Sequence, residues 1–288
     1  IAVSFYGGKG YFIKEQKYTY KQVDDMASKL AKHLCECGLK EGEIVPIIVD
    51  RNADIIIAAI AVIKAGGAYM PIDPLYPQKR IEFMLSNCNS NILLKHSWIN
   101  VDHDKSVSIN LDTIKYDELK FLENHMSRSS QNVMTILYTS GTTGTPKGIM
   151  LTHKNVINMA FNENDLNCIT EKDNVAVHAS ITFDPFLMMG MAPLLAGACV
   201  QIMPENIRKS INDIHEFFIE NRTTVSFLTT QLCELYASDY DNKYLKLLVT
   251  GGEKLFKVPK RHYSIANGYG PTEDCVFATQ FLVDKQYR

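Results

Sequence analysis

The sequence Leu-Tyr-Thr-Ser-Gly-Thr-Thr-Gly-Thr-Pro-Lys-Gly-Ile-Met, residues 137–150, decides how the chain is interpreted. It continues an apolar, β-rich run, residues 133–138, and it interleaves glycines with hydroxyl side chains and Lys147. Glycine lets the backbone approach a ligand closely, and successive N–H groups in such a loop can converge on an anion. Lys147 adds a compact positive charge. The stretch therefore predicts a loop that binds a polyphosphate.

A nucleotide-binding P-loop is the first alternative for this stretch. That pattern requires glycine, four further residues and then Gly-Lys-Ser/Thr. Counted from Gly141, the second glycine position holds Pro146, and the hydroxyl position after Lys147 holds Gly148. The P-loop pattern therefore does not fit. A flexible surface linker is the other alternative, but linkers rarely follow directly on a β-rich apolar run.

The segment from Tyr138 to Gly148 resembles the phosphate-loop signature of the adenylate-forming superfamily. This superfamily comprises acyl-CoA synthetases, beetle luciferases and the adenylation domains of nonribosomal peptide synthetases. The resemblance implies that the segment binds the phosphates of ATP. The residues implied are Thr139, Ser140, Gly141, Thr142, Thr143, Gly144 and Lys147.

Composition excludes several classes of protein. With 288 residues, 46% hydrophobic and 22% charged, the chain is typical of a soluble globular protein of one or two domains. The net charge is −2 and no Lys/Arg run occurs, so nucleic acid is not an expected partner. Seven scattered cysteines without Cys-x-x-Cys predict neither a disulfide framework nor a zinc site, and they favour a reducing cytoplasm. No apolar run reaches the roughly 20 residues of a membrane span.

Apolar runs alternate with amphipathic segments along the chain. Residues 20–34 have helical spacing after a capping box at Thr19, and residues 44–49 have the continuous apolar character of a buried parallel strand. This alternation predicts a mostly parallel α/β fold whose ligands lie beyond the carboxyl ends of the strands. A helix is expected over 184–196, and a closing strand over 276–283.

The resemblance makes the expected architecture more specific. It implies the large N-terminal domain of an adenylate-forming enzyme, with two mostly parallel sheets flanked by helices in layers. Within residues 1–288 the expected sub-lobes are 42–166 and 1–41 plus 170–288. The small C-terminal domain, which supplies a catalytic lysine in the superfamily, is expected to be absent from this chain, and both ends look cut from something longer.

One segment helps to decide which branch of the superfamily the chain resembles. It is residues 64–77, Lys-Ala-Gly-Gly-Ala-Tyr-Met-Pro-Ile-Asp-Pro-Leu-Tyr-Pro. On their own they predict a helix end, a strand and a turn. They resemble the second core motif of peptide synthetase adenylation domains, and Thr19-Tyr20 fits the first. The resemblance favours an amino-acid-activating domain over an acyl-CoA synthetase.

Residues 267–273, Asn-Gly-Tyr-Gly-Pro-Thr-Glu, combine several kinds of ligand chemistry. The ring of Tyr269 offers a face for stacking on a base, and the carboxamide of Asn267 can pair with an adenine edge. The hydroxyl of Thr272 can donate to a phosphate oxygen, and Glu273 is a hard oxygen ligand suited to Mg²⁺. The simpler alternative is a Gly-Pro turn with a solvated glutamate.

This motif matches the superfamily residue by residue. The resemblance implies that Asn267 and Tyr269 contact adenine, that Thr272 acts catalytically on the α-phosphate, and that Glu273 acts catalytically by binding Mg²⁺. Residues 251–253 resemble the strand-end segment that flanks both the adenine and the substrate pocket. The remaining residues implied for ATP are Gly251, Gly252, Glu253, Gly268 and Gly270.

Asp184 bears most directly on the substrate. It lies between apolar Phe183 and Pro185, a buried carboxylate needs a cationic partner, and the next basic residue downstream is Arg208. The resemblance implies that this aspartate binds the α-amino group of an amino acid, and that enzymes for aryl or fatty acids lack it. The alternative is an N-cap for the following helix, a role that can coexist with ligand binding. The family usually has serine two positions later, where this chain has Phe186.

The resemblance also implies a pocket for the substrate side chain. Its residues would be Phe183, Asp184, Pro185, Met188, Phe227, Leu248, Thr250, Gly268, Val276 and Phe277. Apart from Asp184 this lining is almost wholly apolar and uncharged. An apolar substrate side chain is therefore expected.

The reaction implied is attack of an amino-acid carboxylate on the α-phosphate of ATP, which gives aminoacyl-AMP and pyrophosphate. The implied partners are Mg²⁺, a peptidyl carrier protein whose phosphopantetheine thiol accepts the aminoacyl group, and a condensation domain. Two other functions remain open: a ligase for aryl or fatty acids, and a non-catalytic binding module.

Overall fold

The computed structural model describes residues 1–6, 15–101, 103, 106–123, 129–139, 146–256 and 258–283. The chain divides into two compact units. The first unit is Ile1–Lys17 with Ile157–Arg288, and the second unit is Tyr18–Val156.

Strands and alternating helices make up most of the described chain. The strands are β1 (Val3–Phe5), β2 (Gln16–Tyr18), β3 (Ile44–Ile48), β4 (Ala68–Ile72), β5 (Ile92–Lys95), β6 (Val107–Asn110), β7 (Val133–Thr139), β8 (Lys147–Thr152), β9 (Asn174–Val177), β10 (Cys199–Ile202), β11 (Val225–Thr229), β12 (Leu247–Gly251), β13 (Ser264–Tyr269) and β14 (Thr279–Val283). The α-helices are α1 (Tyr20–Glu36), α2 (Asp54–Ala65), α3 (Gln78–Cys88), α4 (His153–Leu166), α5 (Ala192–Leu195), α6 (Ile211–Glu220) and α7 (Thr230–Asp239). Among the described residues, no helix is both long and apolar enough to cross a membrane.

The first unit is organised around a sheet with the strand order β14-β13-β12-β11-β9-β10-β1-β2. Neighbours from β1 through β13 pair in parallel, and β14 pairs antiparallel with β13. β12 is buried along its whole length, as expected of a central parallel strand covered on both faces. Phe218 and Tyr236, from α6 and α7, pack with Leu248 of β12 in one apolar core.

The second unit contains a sheet with the order β6-β5-β3-β4-β7-β8. Its strands pair in parallel except for β7 and β8, which form an antiparallel pair. Thr139 at the end of β7 is in register with Lys147 at the start of β8. The expectation of two mostly parallel sheets with flanking helices is therefore confirmed.

The boundary between the units differs from the expected sub-lobes. Residues 18–41 belong to the second unit, because α1 packs against α2. Lys64 of α2 donates from Nζ to Asp24 Oδ1 over 2.6 Å and to Ser28 Oγ over 2.8 Å. Residues 157–166 belong to the first unit, where Asn164 Nδ2 donates to the Ala192 carbonyl over 2.7 Å.

Two expected elements differ in detail. The helix expected over 184–196 begins as a π-helix, Leu187–Met191, in which the Ala192 N–H donates to the Leu187 carbonyl. Pro193 has no N–H to continue an α-helical ladder. Gly190 leaves room for the Phe186 ring, because a Cβ on Gly190 would lie 2.8 Å from an atom of that ring. The closing strand starts only at Thr279, because the backbone at residues 275–276 is left-handed.

Four further strands, β2, β6, β8 and β13, lacked a clear apolar alternation and were not expected. β8 and β13 are nevertheless the strands that carry Lys147 and residues 267–269 of the two ligand motifs.

The capping box at the start of α1 gives a first prediction. The Gln22 N–H donates to Thr19 Oγ1 over 3.2 Å, and the Thr19 N–H donates to Gln22 Oε1 over 2.8 Å. Thr19→Ala is expected to lower the free energy of unfolding by about 1 kcal/mol. Thr19→Ser keeps a capping hydroxyl and is expected to lower the free energy of unfolding much less. Urea unfolding of both variants measures the difference; equal losses in the two would contradict a capping role for the hydroxyl.

Candidate active site

A cavity of about 320 Å³ lies at one edge of the sheet in the first unit. Its wall includes His178 just after β9, Thr229 at the end of β11, Gly251 at the end of β12 and Gly270 just after β13. These four strands are consecutive parallel neighbours. The cavity therefore occupies the carboxyl edge of the sheet, where α/β folds bind ligands.

Asp184 and Thr272 meet at this cavity. Asp184 lines its wall, and Thr272 Oγ1 lies 3.2 Å from Asp184 Oδ2, at hydrogen-bond distance. The two residues are 88 positions apart in sequence. The structure thus brings together one residue from each of two motifs that sequence reasoning had singled out separately.

The environment of Asp184 disfavours its charge. Burial raises the pKa of its carboxyl to about 6, and the nearby charge of Glu273 also raises it, whereas the hydrogen bond from Thr272 lowers it. Within the described residues, no Lys, Arg or His side chain forms an ion pair with Asp184. The carboxylate is therefore a largely buried anion that forms no ion pair within the described residues, in a cavity open to a ligand.

The N-cap alternative for Asp184 has little geometric support. The π-helix has Phe186 as its N-cap, without a side-chain capping bond, and the Leu187 N–H donates to the backbone carbonyl of Asp184 over 2.8 Å. The carboxylate itself is directed to Thr272, on another element.

The segment after β13 forms a tight, strained loop beside Asp184. Cys275 and Val276 have φ angles of +59° and +86°. Such angles are unusual for non-glycine residues and especially unfavourable for a β-branched one. The loop is closed by a bond of 2.9 Å from the Ala278 N–H to the Tyr269 carbonyl. A Cβ at Gly270 would lie 2.4 Å from the Val276 carbonyl oxygen, so glycine is required there.

Phe277 is fixed over the strand ends by this loop. Its ring lies against Gly268 and Gly251, where added Cβ atoms would approach ring atoms within 2.4 and 3.0 Å. These glycines are register partners in β13 and β12. The ring also lies 6.5 Å from that of Phe227, so the two aromatic side chains form one apolar side of the cavity.

Residues expected to contact a nucleotide occupy the same edge of the sheet. The Tyr269 side chain is 73% exposed and offers an open aromatic face. The Asn267 carboxamide oxygen is buried, with no hydrogen-bond partner among the described residues. Gly252 lines the cavity, and Glu253 accepts a bond of 3.2 Å from Gln231 Nε2. Glu273 is exposed in the short 3₁₀ turn Thr272–Asp274.

The phosphate-loop residues lie mostly outside the described residues. This applies to Ser140, Gly141, Thr142, Thr143 and Gly144. Thr139 and Lys147 are described, as the paired ends of β7 and β8 in the second unit, and the Lys147 side chain is exposed.

The family model described as "AMP-binding enzyme" matches residues 2–288 of this chain. The chain belongs to this family. Among its relatives is bacitracin synthase 1 of Bacillus licheniformis, 33% identical over 280 residues. That match covers 96% of this chain and only 5% of the relative, so the chain spans about a twentieth of the relative's length.

Solved structures share the fold of this AMP-binding enzyme. The nonribosomal peptide synthetase FmoA3 in its alpha-methyl-L-serine-AMP bound form has a TM-score of 0.85 at 22% identity, covering 98% of this chain and 32% of that one. The N-terminal subdomain of Klebsiella oxytoca NpsA, in complex with 3-hydroxyanthranilyl-AMSN, has a TM-score of 0.83 at 22% identity. The match covers 99% of this chain and 72% of that one. The fold is therefore that of the N-terminal part of such synthetases.

The cavity of this AMP-binding enzyme contains part of the expected substrate lining. The expected residues that line it are Phe183, Asp184, Pro185, Phe227, Val276 and Phe277. The others, Met188, Leu248, Thr250 and Gly268, are buried and do not line the cavity. Phe186, whose effect on the pocket was uncertain, is buried against Gly190 and does not line the cavity.

The cavity has further lining residues that the sequence did not suggest, one of them charged. Arg208 lines the cavity, together with His178 and Ser180. Sequence reasoning missed these residues because they lie in irregular segments without a recognisable motif. The one available signal is the position of His178 and Ser180 just after a parallel strand, where ligand contacts concentrate.

Proposed function

We propose that this AMP-binding enzyme activates an amino acid with ATP, giving aminoacyl-AMP and pyrophosphate. One observation carries the proposal: the largely buried carboxylate of Asp184 lines the cavity and forms no ion pair within the described residues, and the cation of the same cavity, Arg208, is paired with Glu205. A substrate ammonium would supply the missing charge and form strong, charge-assisted hydrogen bonds. A fatty acid, or an aryl acid without a basic group, has no cation that compensates for the burial of this carboxylate.

The position of Thr272 suggests how the substrate is oriented. The Thr272 hydroxyl lies 3.2 Å from Asp184 Oδ2, so a ligand whose ammonium contacts Asp184 is within reach of the Thr272–Glu273 turn, and we propose that its carboxylate lies there. In the proposed reaction a carboxylate oxygen forms a bond to the α-phosphorus, and the bond from that phosphorus to the bridging oxygen breaks to release pyrophosphate. No protein nucleophile is needed, so the residues act by positioning and by stabilising charge.

The residues near β12 and β13 fit the parts of a nucleotide. The unpartnered Asn267 oxygen is an acceptor suited to an exocyclic amine, and the exposed Tyr269 ring can stack on a base. Gly252, just after β12, has no atom within 4 Å of where a Cβ would lie, so a ligand can approach the backbone there. Thr139, Lys147 and the residues between them are proposed to bind the phosphates.

Glu273 is the proposed Mg²⁺ ligand. Mg²⁺ in phosphate-transfer sites is often held by one or two carboxylates together with substrate phosphates, and an exposed glutamate beside the cavity fits that donor set. When bound, Mg²⁺ would neutralise charge on the phosphates.

The wider setting of the reaction rests on the family resemblance. We propose that the aminoacyl group passes to the phosphopantetheine thiol of a peptidyl carrier protein, with a condensation domain in the same assembly. A C-terminal domain would supply a further catalytic lysine, so residues 1–288 alone are expected to catalyse the reaction slowly.

Pyrophosphate exchange tests the proposal. The chain, joined to the C-terminal domain of a related synthetase, is screened with the twenty amino acids, and the best substrate is compared with its deaminated analogue. Wild type is expected to prefer the amino acid by about 100-fold, as for other buried charge pairs, and Asp184→Ala is expected to abolish that preference. Asp274→Ala, which removes an exposed carboxylate of the same turn, serves as the matched control.

The other functions give different results. A preference for aryl or fatty acids that is unaffected by Asp184→Ala would indicate another ligase of the family. Absence of Mg·ATP binding by calorimetry, even in the extended chain, would favour a non-catalytic binding module.

A further inference from the structure

The cavity contains a cationic group that ammonium binding does not require. Arg208 lines the same cavity as Asp184, and its side chain is 16% exposed. Its Nε donates to the His178 carbonyl over 2.6 Å, and its Nη1 donates to the carboxylate of Glu205. His178 Nε2 in turn lies 3.0 Å from the carbonyl oxygen of Arg208.

These bonds fix the plane of the guanidinium before any ligand arrives. Arginine has five N–H donors in a rigid fork, and the bonds to His178 and Glu205 use Nε and Nη1. Nη2 has no hydrogen bond to another residue in the described part of the chain. Because Arg208 lines the cavity and its Nε and Nη1 are engaged, Nη2 is the nitrogen that we assign to a ligand acceptor.

The charge of Arg208 is already compensated. Glu205 forms an ion pair with it, and the two side chains are only 16% and 28% exposed. A ligand carboxylate at Nη2 would be repelled by Glu205, whereas an uncharged carbonyl oxygen would accept the same hydrogen bond without that repulsion. The site therefore suits a neutral acceptor better than an anion.

We propose that the amino acid activated here has a side chain ending in an uncharged carbonyl acceptor, such as a carboxamide, to which Arg208 Nη2 donates. The proposal rests on the proposed function, because Asp184 is taken to hold the ammonium. Phe227 and Phe277 would then contact the methylene part of the side chain. Arg208 is thus a specificity-determining residue, and the substrate class is amide-bearing rather than wholly apolar.

Binding of aminoacyl-sulfamoyladenosines to the 288-residue chain tests this proposal without requiring catalysis. The analogues form matched pairs: asparagine against leucine, and glutamine against homoleucine, with aspartate and glutamate as charged members. In one of the two pairs, the carboxamide is expected to bind about tenfold to a hundredfold more tightly than its apolar isostere by calorimetry, the range for hydrogen bonds to charged groups.

Arg208→Met is expected to bring that ratio close to one. Arg208→Lys, which keeps the charge without the fork, is expected to retain only part of it. Arg261→Met is the matched control, because Arg261 also donates to backbone carbonyls, those of Ala237 and Ser238, at 2.5 and 2.7 Å, but does not line this cavity. Its ratio is expected to equal that of wild type.

The outcomes separate this inference from the proposed function. If none of these analogues binds to wild type, the role of Arg208 is overturned, and the proposed function is overturned with it only if the pyrophosphate-exchange screen also finds no amino-acid substrate. A second outcome is that analogues bind to wild type and Asp184→Ala abolishes this binding. If the apolar isosteres or the side-chain carboxylates then bind as tightly as the carboxamides, only the role of Arg208 is overturned. The role of Arg208 is also overturned if Arg208→Met still prefers the carboxamide to its apolar isostere.

Discussion

Asp184→Asn is expected to raise the free energy of unfolding at pH 7 by about 2–3 kcal/mol, since one unit of pKa shift corresponds to about 1.4 kcal/mol. Burial raises the pKa of the Asp184 carboxyl from its usual 3.8 to about 6. The folded protein therefore binds this proton more tightly than the unfolded chain does, and stability is lost as the pH rises from about 4 to about 6. Asparagine avoids that ionisation and can still accept the hydrogen bond from Thr272.

The pH dependence identifies the cause of this gain. Below about pH 4 the carboxyl is protonated in both states, so wild type and Asp184→Asn are expected to be about equally stable. The difference should grow between pH 4 and 6 and become constant above that range. Urea unfolding across the range measures it. The same substitution is expected to weaken amino-acid binding by about 100-fold or more, so stability and binding change in opposite directions.

Asp173 provides a control of opposite sign. Burial raises the pKa of its carboxyl, but hydrogen bonds from Lys246 and Thr224 outweigh burial and lower it. Asp173→Asn is therefore expected to destabilise the protein at pH 7. A stability gain for Asp184→Asn that is equally large at pH 4, or a loss at pH 7, would contradict the burial of an uncompensated charge at this position.

Gly270→Ala is expected to lower the free energy of unfolding by about 3 kcal/mol and to disrupt the cavity wall. The added methyl group would lie 2.4 Å from the Val276 carbonyl oxygen, 2.6 Å from the Ala278 nitrogen and 2.7 Å from the Phe277 Cα. All three are backbone atoms of the closed loop, so no side-chain rotation relieves the overlap. Thermal unfolding and ligand binding measure the two effects.

Two other glycines test whether backbone contact is the cause. At Gly148 the added methyl group would meet only side-chain atoms, at 3.2 Å or more, so Gly148→Ala is expected to cost much less. At Gly268 it would meet the Phe277 ring, so Phe277→Ala should relieve Gly268→Ala but should not relieve Gly270→Ala. Equal losses at Gly270 and Gly148 would contradict the tight loop described here.

The general architecture was predictable because it depends on the alternation of apolar runs, which burial in a parallel sheet requires along the whole chain. The proximity of Asp184 and Thr272 was predictable in outline for a related reason. Each follows a strand, and the parallel strands of one sheet, here β9 and β13, end at the same edge.

The remaining features depend on contacts that no local pattern encodes. The left-handed backbone at Cys275 and Val276 is imposed by closure of the loop onto Gly270, and it shortens the last strand. Arg208 reaches the cavity through bonds to His178, which lies 30 positions away. The division of the chain at Lys17 and Val156 depends on helix packing that can be identified only from tertiary contacts.

A crystal structure of the chain with its tightest-binding aminoacyl-sulfamoyladenosine is the most direct measurement. The expected result places the ligand ammonium about 3 Å from the carboxylate of Asp184 and the acyl group beside Thr272. A ligand bound with its ammonium away from Asp184, or outside the cavity at the ends of β9, β11, β12 and β13, would contradict the proposed function.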